Sequence, residues 1–563
     1  MAEVHRLTPD LAVAGQLQPQ DMPTLAEAGF HSVINNRPEH EGEDQPTGAA
    51  LEQAARDAGL AYYALPVVPG QLNDDLVERF GSLMQHARGP VLAFCRTGNR
   101  SSSLWALSQS RRLDPKTVLA TAESAGYDLS KLSERLQQRW HQGPASHAES
   151  AGRSPARTWD VLIVGGGAGG LAAAASILKR RPSLTVAVIE PRDTHYYQPA
   201  WTLVGAGAFR RADTARAMAR VMPRGSKWIR AAVAGFDPEQ NQVVLDDGER
   251  IAYRTLVVAP GLELHLDGVE GLRESLGHNG VTSNYLFDYA PYTWECVQNL
   301  KSGRALFTQP PMPIKCAGAP QKALYLSCHH WEQQGVLEHI DVHFHNAGGV
   351  LFGVETFVPP LMEYIRRYRA HLDFNSNLKA VDAGQRTAWF TDTDADGNQS
   401  ERREAFDLLH VTPPQRAPQC VRDSALANGA GWLDLHAETL QHNRFPTVFG
   451  IGDSSGTGNA KTAAAVRKQA PVVAANLLAH LDGRALEGRY DGYGACPLTV
   501  ERGKVIMAEF GYQGALQPSF PLDPTKARKL YWLLKAQALP PIYFNLMLKG
   551  HEWLTGTQPK KSV

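Results

Sequence analysis

Short apolar runs alternate with helix-like patterns through most of this chain. Val91-Leu92-Ala93-Phe94, Val161-Leu162-Ile163-Val164, Val186-Ala187-Val188-Ile189 and Leu256-Val257-Val258-Ala259 are near-continuous apolar stretches. Strands buried on both faces of a parallel sheet read this way. Behind two of them the pattern turns helical, at Leu104-Trp105-Ala106-Leu107 and from Leu171 to Leu178. A further helix is expected from Pro320, which suits a first turn because its missing N–H costs nothing there, through Ala323, Leu324, Tyr325 and Leu326. Periodicity disappears from Gln142 to Arg157, where Gly, Pro, Ser, Ala and His dominate. The end of the chain differs again: residues 529–539 and 542–549 read as two short apolar helices with aromatic and lysine flanks, separated by Pro540-Pro541. The pattern specifies an α/β chain, with one domain over residues 1–140, a linker over 141–157, a larger body over 158–490 and a helical tail over 491–563.

At 563 residues the chain exceeds what one core can organise, which agrees with several compact units. Lys plus Arg and Asp plus Glu both number 57, so no basic excess points to nucleic acid. The first twenty residues lack a basic segment followed by an apolar run, so no secretory signal is read and the cytoplasm is the expected compartment. Six cysteines without paired short spacing form neither a disulfide framework nor a zinc pattern. His343 and His345 share one face of a strand and His329-His330 adjoin Cys328, but no third ligand stands at useful spacing, so no metal site is expected.

Chemistry enters at the strand ends. Gly165, Gly167 and Gly170 have the G-x-G-x-x-G spacing, with Ala168 between them, directly after the Val161 strand. Glu190 closes the next strand twenty residues after Gly170, where a carboxylate accepts bonds from ribose hydroxyls. The nucleotide could be NAD or FAD. Leu256 to Gly261, which includes Ala259, resembles the segment closing the first half of two-dinucleotide-domain flavoproteins, and Phe449-Gly450-Ile451-Gly452-Asp453 resembles their terminal flavin motif. Three ordered motifs imply FAD held between tandem Rossmann-like units, with the helix near Lys461-Thr462 aimed at the flavin ring. A second glycine fingerprint for NADH is missing, because Arg304 to Thr308 leads into Gln309-Pro310-Pro311-Met312-Pro313.

Two cysteines stand where thiolates are favoured. Cys316 precedes a helix start and has Lys315 and Lys322 nearby, so it is read as a nucleophile, with a buried small hydrophobe as the alternative. Cys95 opens the loop from the Val91 strand to the next helix, and four residues separate it from Arg100. Such a loop cradles an anion. It resembles the short active loop of rhodanese-type sulfurtransferases, and residues 32–38 and 65–69 resemble a bacterial family with a dual-specificity-phosphatase fold and this loop. Sulfur transfer is preferred over phosphatase action because the loop from Pro66 to Gln71 has no carboxylate to serve as general acid; a degenerate binding module is the third reading.

Residues 158–556 resemble a sulfide:quinone oxidoreductase of the mitochondrial type. The resemblance rests on His195-Tyr196-Tyr197-Gln198-Pro199, Trp201 to Gly205, Lys315 to Lys322, His410 to Pro414, and Lys461 to Ala465. It implies FAD, a quinone acceptor, small sulfur species as substrates, attachment of the tail to the inner face of the cell membrane, and two cysteines flanking the flavin. Cys316 matches the first cysteine; Ser454 stands in place of the second. Free hydrosulfide is therefore expected to be a poor substrate and a persulfide a better one, with Cys95 supplying or removing the sulfur. Cys296, Cys420 and Cys496 are read as structural, and Cys328 is too far along the helix to replace the missing thiol. Packing of the tail on the flavin domain is the alternative to a membrane surface, and a homo-oligomer is allowed. The rival functions are a phosphatase-like hydrolase fused to a flavoprotein and a non-catalytic redox-sensing FAD protein.

Overall fold

A computed structural model describes residues 4–8, 10–43, 45–87, 89–110, 113–141 and 158–552. Residues 142–157 of the expected linker and 553–563 of the tail lie outside them. The chain divides into two compact units, Met1–Pro155 and Ala156–Val563.

The first unit is a five-stranded sheet in the order Val4–Thr8, Leu11–Ala14, Val91–Phe94, Ser32–Asn35, Ala61–Ala64. Only the first pair is antiparallel. The central strand is apolar at every position because both of its faces are covered. Val91 and Ala93 meet Leu104, Trp105, Leu107 and Val118, while Leu92 and Phe94 meet Leu25, Phe30, Leu51 and Leu60. This strand delivers Cys95 at its carboxyl end, and the helix Asn99–Gln109 starts just beyond. The turn between them needs Gly98, which has φ +87° and whose missing Cβ would strike the Tyr127 hydroxyl.

The second unit holds two sheets of the dinucleotide-binding kind, the first parallel but for the antiparallel pairings of Gln242–Leu245 with Arg250–Val258 and Val233–Asp237 and the second parallel throughout, so the expected α/β class with tandem Rossmann-like domains is borne out. The first runs Ser226–Ile229, Val186–Ile189, Trp159–Val164, Arg250–Val258, Gln242–Leu245, Val233–Asp237, and Val448–Gly450 also pairs with Arg250–Val258. Val161 and Ile163 pack under the helices Ala168–Arg180 and Ala463–Leu481; Leu162 and Val164 fill the opposite face with Val243, Leu245 and Tyr253. The second sheet runs Val281–Thr282, Leu408–His410, Gly303–Gln309, Ile340–Asn346, His371–Phe374.

An antiparallel hairpin, Gly494–Glu501 with Lys504–Phe510, lays Cys496, Leu498 and Val500 into the core under the helix Ala319–Gln333. The tail is two helical pieces, Lys529–Leu533 and Leu539–Asn545, joined by the π-helical turn Leu534–Ala538. Tyr543, Met547 and Leu548 enter the core of the first sheet, whereas Leu530 and Leu533 point outward and are about half exposed. Among the described residues no helix is long and apolar enough to cross a membrane.

Candidate functional site

A cavity of about 570 Å³ opens at the carboxyl ends of the first sheet's strands, where Val164, Ile189, Ala259 and Ile451 line it. Its floor is the glycine loop. Gly165 has φ +102° and passes so close to the Ala259 carbonyl that no Cβ fits; at Gly170 a Cβ would collide with the Gly165 carbonyl. Gly170 therefore serves the close packing of helix on strand and does not line the cavity. Gly167 is the opposite case, because among the described residues a Cβ there would meet nothing within 4 Å. That open space lies at the start of the helix Ala168–Arg180, where N–H groups have no intrahelical partner and favour an anion. Glu190 is held at the same end, accepting from the Gly166 and Arg192 N–H groups at 2.8 and 2.9 Å.

The opposite wall carries Gly261, Gly452, Asp453, Lys461 and Thr462. Thr462 caps the helix Ala463–Leu481 by accepting from the Ala465 N–H at 3.2 Å. Lys461 donates to the carbonyls of Asp453 and Ser455 at 2.7 and 2.8 Å and lies 3.9 Å over the Trp432 ring. Burial, opposed by Asp453, lowers its ammonium to about 8, and burial likewise raises the Asp453 carboxyl. Gln198 accepts from Lys315, whose ammonium is also brought down to about 8 by burial. Ser454 is fully buried on the turn Gly452–Ser454, and its hydroxyl finds no hydrogen-bond partner among the described residues.

Cys316 lines the same cavity from a turn that follows a strand of the second sheet. It occupies the left-handed region at φ +49°, uncommon for a residue with a side chain, in the turn that follows the strand Gly303–Gln309. The turn is held by a Cys316 N–H bond to the Lys461 carbonyl at 3.0 Å and by the Tyr285 hydroxyl on the Lys315 carbonyl at 3.1 Å. Lys322, one turn into the helix Ala319–Gln333, donates to Cys316 Sγ at 3.0 Å.

Sequence reasoning missed the neighbour on the other side. Cys496, read as structural, has its Sγ 3.9 Å from Cys316 Sγ. The Cys496 thiol and then Lys322 hold Cys316 well below the ordinary thiol range, while the contact with Cys316 and burial push Cys496 up. Nothing local marks Cys496; a hairpin 180 residues away from Cys316 brings it there. Lys535, expected on a surface-seeking helix, is 6% exposed and donates to the Pro497 carbonyl at 3.1 Å and to the Thr499 hydroxyl. Cys328 is buried in the core of the helix, and Cys296 and Cys420 lie elsewhere, with burial raising all three thiols.

The reading that His343 and His345 lack a third ligand is corrected. Parallel pairing in the second sheet sets His371 opposite His343, and Asp341 and Glu404 converge on the same histidines. His343 bonds Asp373 and Asp341, each at 3.1 Å, and Arg304 and Arg402 pair with Asp341 and Glu404. The carboxylates are already satisfied by these cations.

In the first unit, Cys95 is buried at the end of its strand. Arg100 donates to the Val67 carbonyl and to Glu41, both at 2.7 Å, and Glu41 also pairs with Arg37 at 2.7 Å. Its guanidinium is desolvated, yet Glu41 and Cys95 together raise its pKa. Glu41 is a site residue that the sequence did not reveal, since it comes from a distant loop.

The second unit matches the family model "Pyridine nucleotide-disulphide oxidoreductase" over residues 159–291, and the first matches "Beta-lactamase hydrolase-like protein, phosphatase-like domain" over residues 3–112. A mitochondrial sulfide:quinone oxidoreductase of Mus musculus is 38% identical over 393 residues, 70% of this chain and 87% of that protein. A beta-lactamase hydrolase-like protein of Xylella fastidiosa is 33% identical over 136 residues, 24% of this chain and 32% of that protein. The crystal structure of the sulfide:quinone oxidoreductase from Aquifex aeolicus shares the fold, with a TM-score of 0.57 at 21% identity over 69% of this chain and 91% of that one.

One expectation is overturned by these relatives. The cytoplasm and the inner face of a cell membrane were expected, but relatives that are 34–38% identical are mitochondrial proteins. The glycine-lined cavity, the Cys316 turn beside Lys322 and a match along most of a curated relative lead to one conclusion: this chain belongs to the sulfide:quinone oxidoreductase family.

Proposed function

We propose that the cavity binds FAD and that Cys316 carries sulfur through a two-electron oxidation whose electrons pass to quinone. The chain is then a bifunctional sulfur-metabolism protein, with the first unit moving sulfane sulfur on Cys95. The observation that carries the reading is the Lys322 ammonium 3.0 Å from the Cys316 sulfur, inside the cavity that the glycine loop also lines. A buried ammonium at that distance keeps the nucleophile in its anionic form.

The residues fit the cofactor. Gly167 leaves the space a pyrophosphate requires, Glu190 stands at the ribose position, and Asp453 faces the cavity where a ribityl chain would run. When bound, the flavin supplies an acceptor of two electrons. The protein's part is to orient and to hold charge. Lys322 stabilises the Cys316 thiolate, which can take the outer sulfur of a persulfide and expel a thiolate, a redox-neutral loading step that precedes the oxidation. Thr462 fixes the start of the helix Ala463–Leu481, so its free N–H groups face the cavity. Leu534, Leu539 and Ile542 of the tail form an apolar wall suited to a quinone, and exposed Leu530 and Leu533 suit a membrane surface.

In the first unit, sulfur transfer is favoured over phosphate chemistry because both terminal nitrogens of Arg100 already donate, to Val67 and to Glu41. Bidentate capture of a phosphate wants that fork free. The test is quinone reduction driven by sulfide or a low-molecular-weight persulfide. Wild type is expected to turn over and Cys316→Ser to lose the reaction; equal rates would refute the reading.

A further inference from the structure

Ser454 cannot form a disulfide, yet a second thiol lies beside Cys316. The hairpin strand Gly494–Glu501 brings Cys496 Sγ to 3.9 Å from Cys316 Sγ. This approach is built into the fold at three places. Gly318, two residues after Cys316, has no side chain, and a Cβ there would come within 2.6 Å of Cys496 Sγ. Lys322 sits against both sulfurs and bonds Cys316. Lys535 clamps the strand on either side of Leu498, through the Pro497 carbonyl and the Thr499 hydroxyl.

We propose that Cys316 and Cys496 are the redox pair of this enzyme, alternating between dithiol and disulfide, and that Cys496 takes the part Ser454 cannot play. The proposal rests on the reading of Cys316 as the sulfur-carrying thiolate. A disulfide needs about 2.05 Å between sulfurs.

The chemistry balances. Hydrosulfide enters from the cavity, which Cys316 lines while Cys496 is only 3% exposed. It attacks the Cys316 sulfur of the disulfide; the S–S bond breaks, Cys316 becomes the persulfide, and Cys496 leaves as a thiolate facing Lys322 and Lys535. A small thiolate then takes the outer sulfur, forming its own persulfide and releasing Cys316 as a thiolate. The two thiolates give up two electrons when their bond re-forms, and these are the electrons that quinone accepts. Hydrosulfide thus has an oxidised sulfur to attack, which reverses the expectation drawn from Ser454.

The rival is that Cys496 only donates its S–H to the Cys316 thiolate. In the full-length, flavin-loaded protein, Cys496→Ser retains a donor and loses the bond, whereas Cys496→Ala loses both. Two readouts are needed. Non-reducing peptide mass spectrometry after mild oxidation with diamide should show a Cys316–Cys496 cross-link in the wild type, about two mass units lighter than the two peptides together. Sulfide-dependent quinone reduction should fall about a hundredfold or more in Cys496→Ser and Cys496→Ala alike. Absence of the cross-link overturns the pair. A cross-link with wild-type turnover in Cys496→Ser overturns its catalytic role. A wild type that cross-links but reduces no quinone with sulfide leaves the pair standing and refutes the proposed function instead.

Discussion

Lys322→Met removes the cation that keeps Cys316 anionic. Lys322 is 3% exposed, and its ammonium lies 3.0 Å from the sulfur. Two unit charges at that separation interact by about 5 kcal/mol at an effective dielectric of about 20. The Cys496 thiol and Lys535 remain in the variant, so the thiol is expected to rise while part of its stabilisation survives. The sign follows from the depressed Cys316 value: the anion is favoured in the folded protein, so its stabilisation is present at higher pH and lost as pH falls through the folded pKa. The variant shifts that midpoint upward and reacts only at higher pH. Alkylation of Cys316 by iodoacetamide across a pH series, followed by peptide mass spectrometry, measures the midpoint, and the flavin spectrum checks the fold. A midpoint within about half a unit of wild type would refute the electrostatic reasoning.

Three further outcomes are expected. Gly170→Ala should purify with flavin content lowered about tenfold or more, because its methyl group collides with the Gly165 carbonyl; full flavin content by absorbance would contradict this. Incubation with thiosulfate or glutathione persulfide should add one sulfur, about 32 Da, to the peptide bearing Cys95, absent in Cys95→Ser and reduced in Arg100→Ala; an adduct that survives Cys95→Ser places the chemistry elsewhere. Leu530→Ser with Leu533→Ser should lower sedimentation with phospholipid vesicles several-fold while the flavin spectrum is unchanged, and equal sedimentation would remove these residues from the membrane surface.

What could be read from the sequence is what depends on neighbours in the chain. The buried parallel strands were legible because Val161 to Val164 and Val91 to Phe94 are covered on both faces and so are apolar throughout. The glycine loop was legible because its constraints, at Gly165 and Gly170, are backbone contacts set by spacing. Cys496 was not, since its meaning comes from a hairpin packing under the helix Ala319–Gln333, and a lone cysteine before a proline carries no pattern. Glu41 reaches Arg100 by the same kind of tertiary route. His371 joins His343 through strand register, which no linear spacing encodes. Lys535 misled for a different reason: flanking lysines usually keep their heads in water, and this one is buried on the hairpin.

The most direct test of the account is the anaerobic absorbance spectrum of the flavin-loaded protein. Addition of stoichiometric sulfide should bleach the flavin band in wild type and leave it intact in Cys316→Ser, and a soluble quinone, but not NAD, should restore it. Bleaching that persists in Cys316→Ser, or recovery with NAD in place of quinone, would contradict a sulfur oxidation centred on Cys316 and linked to quinone.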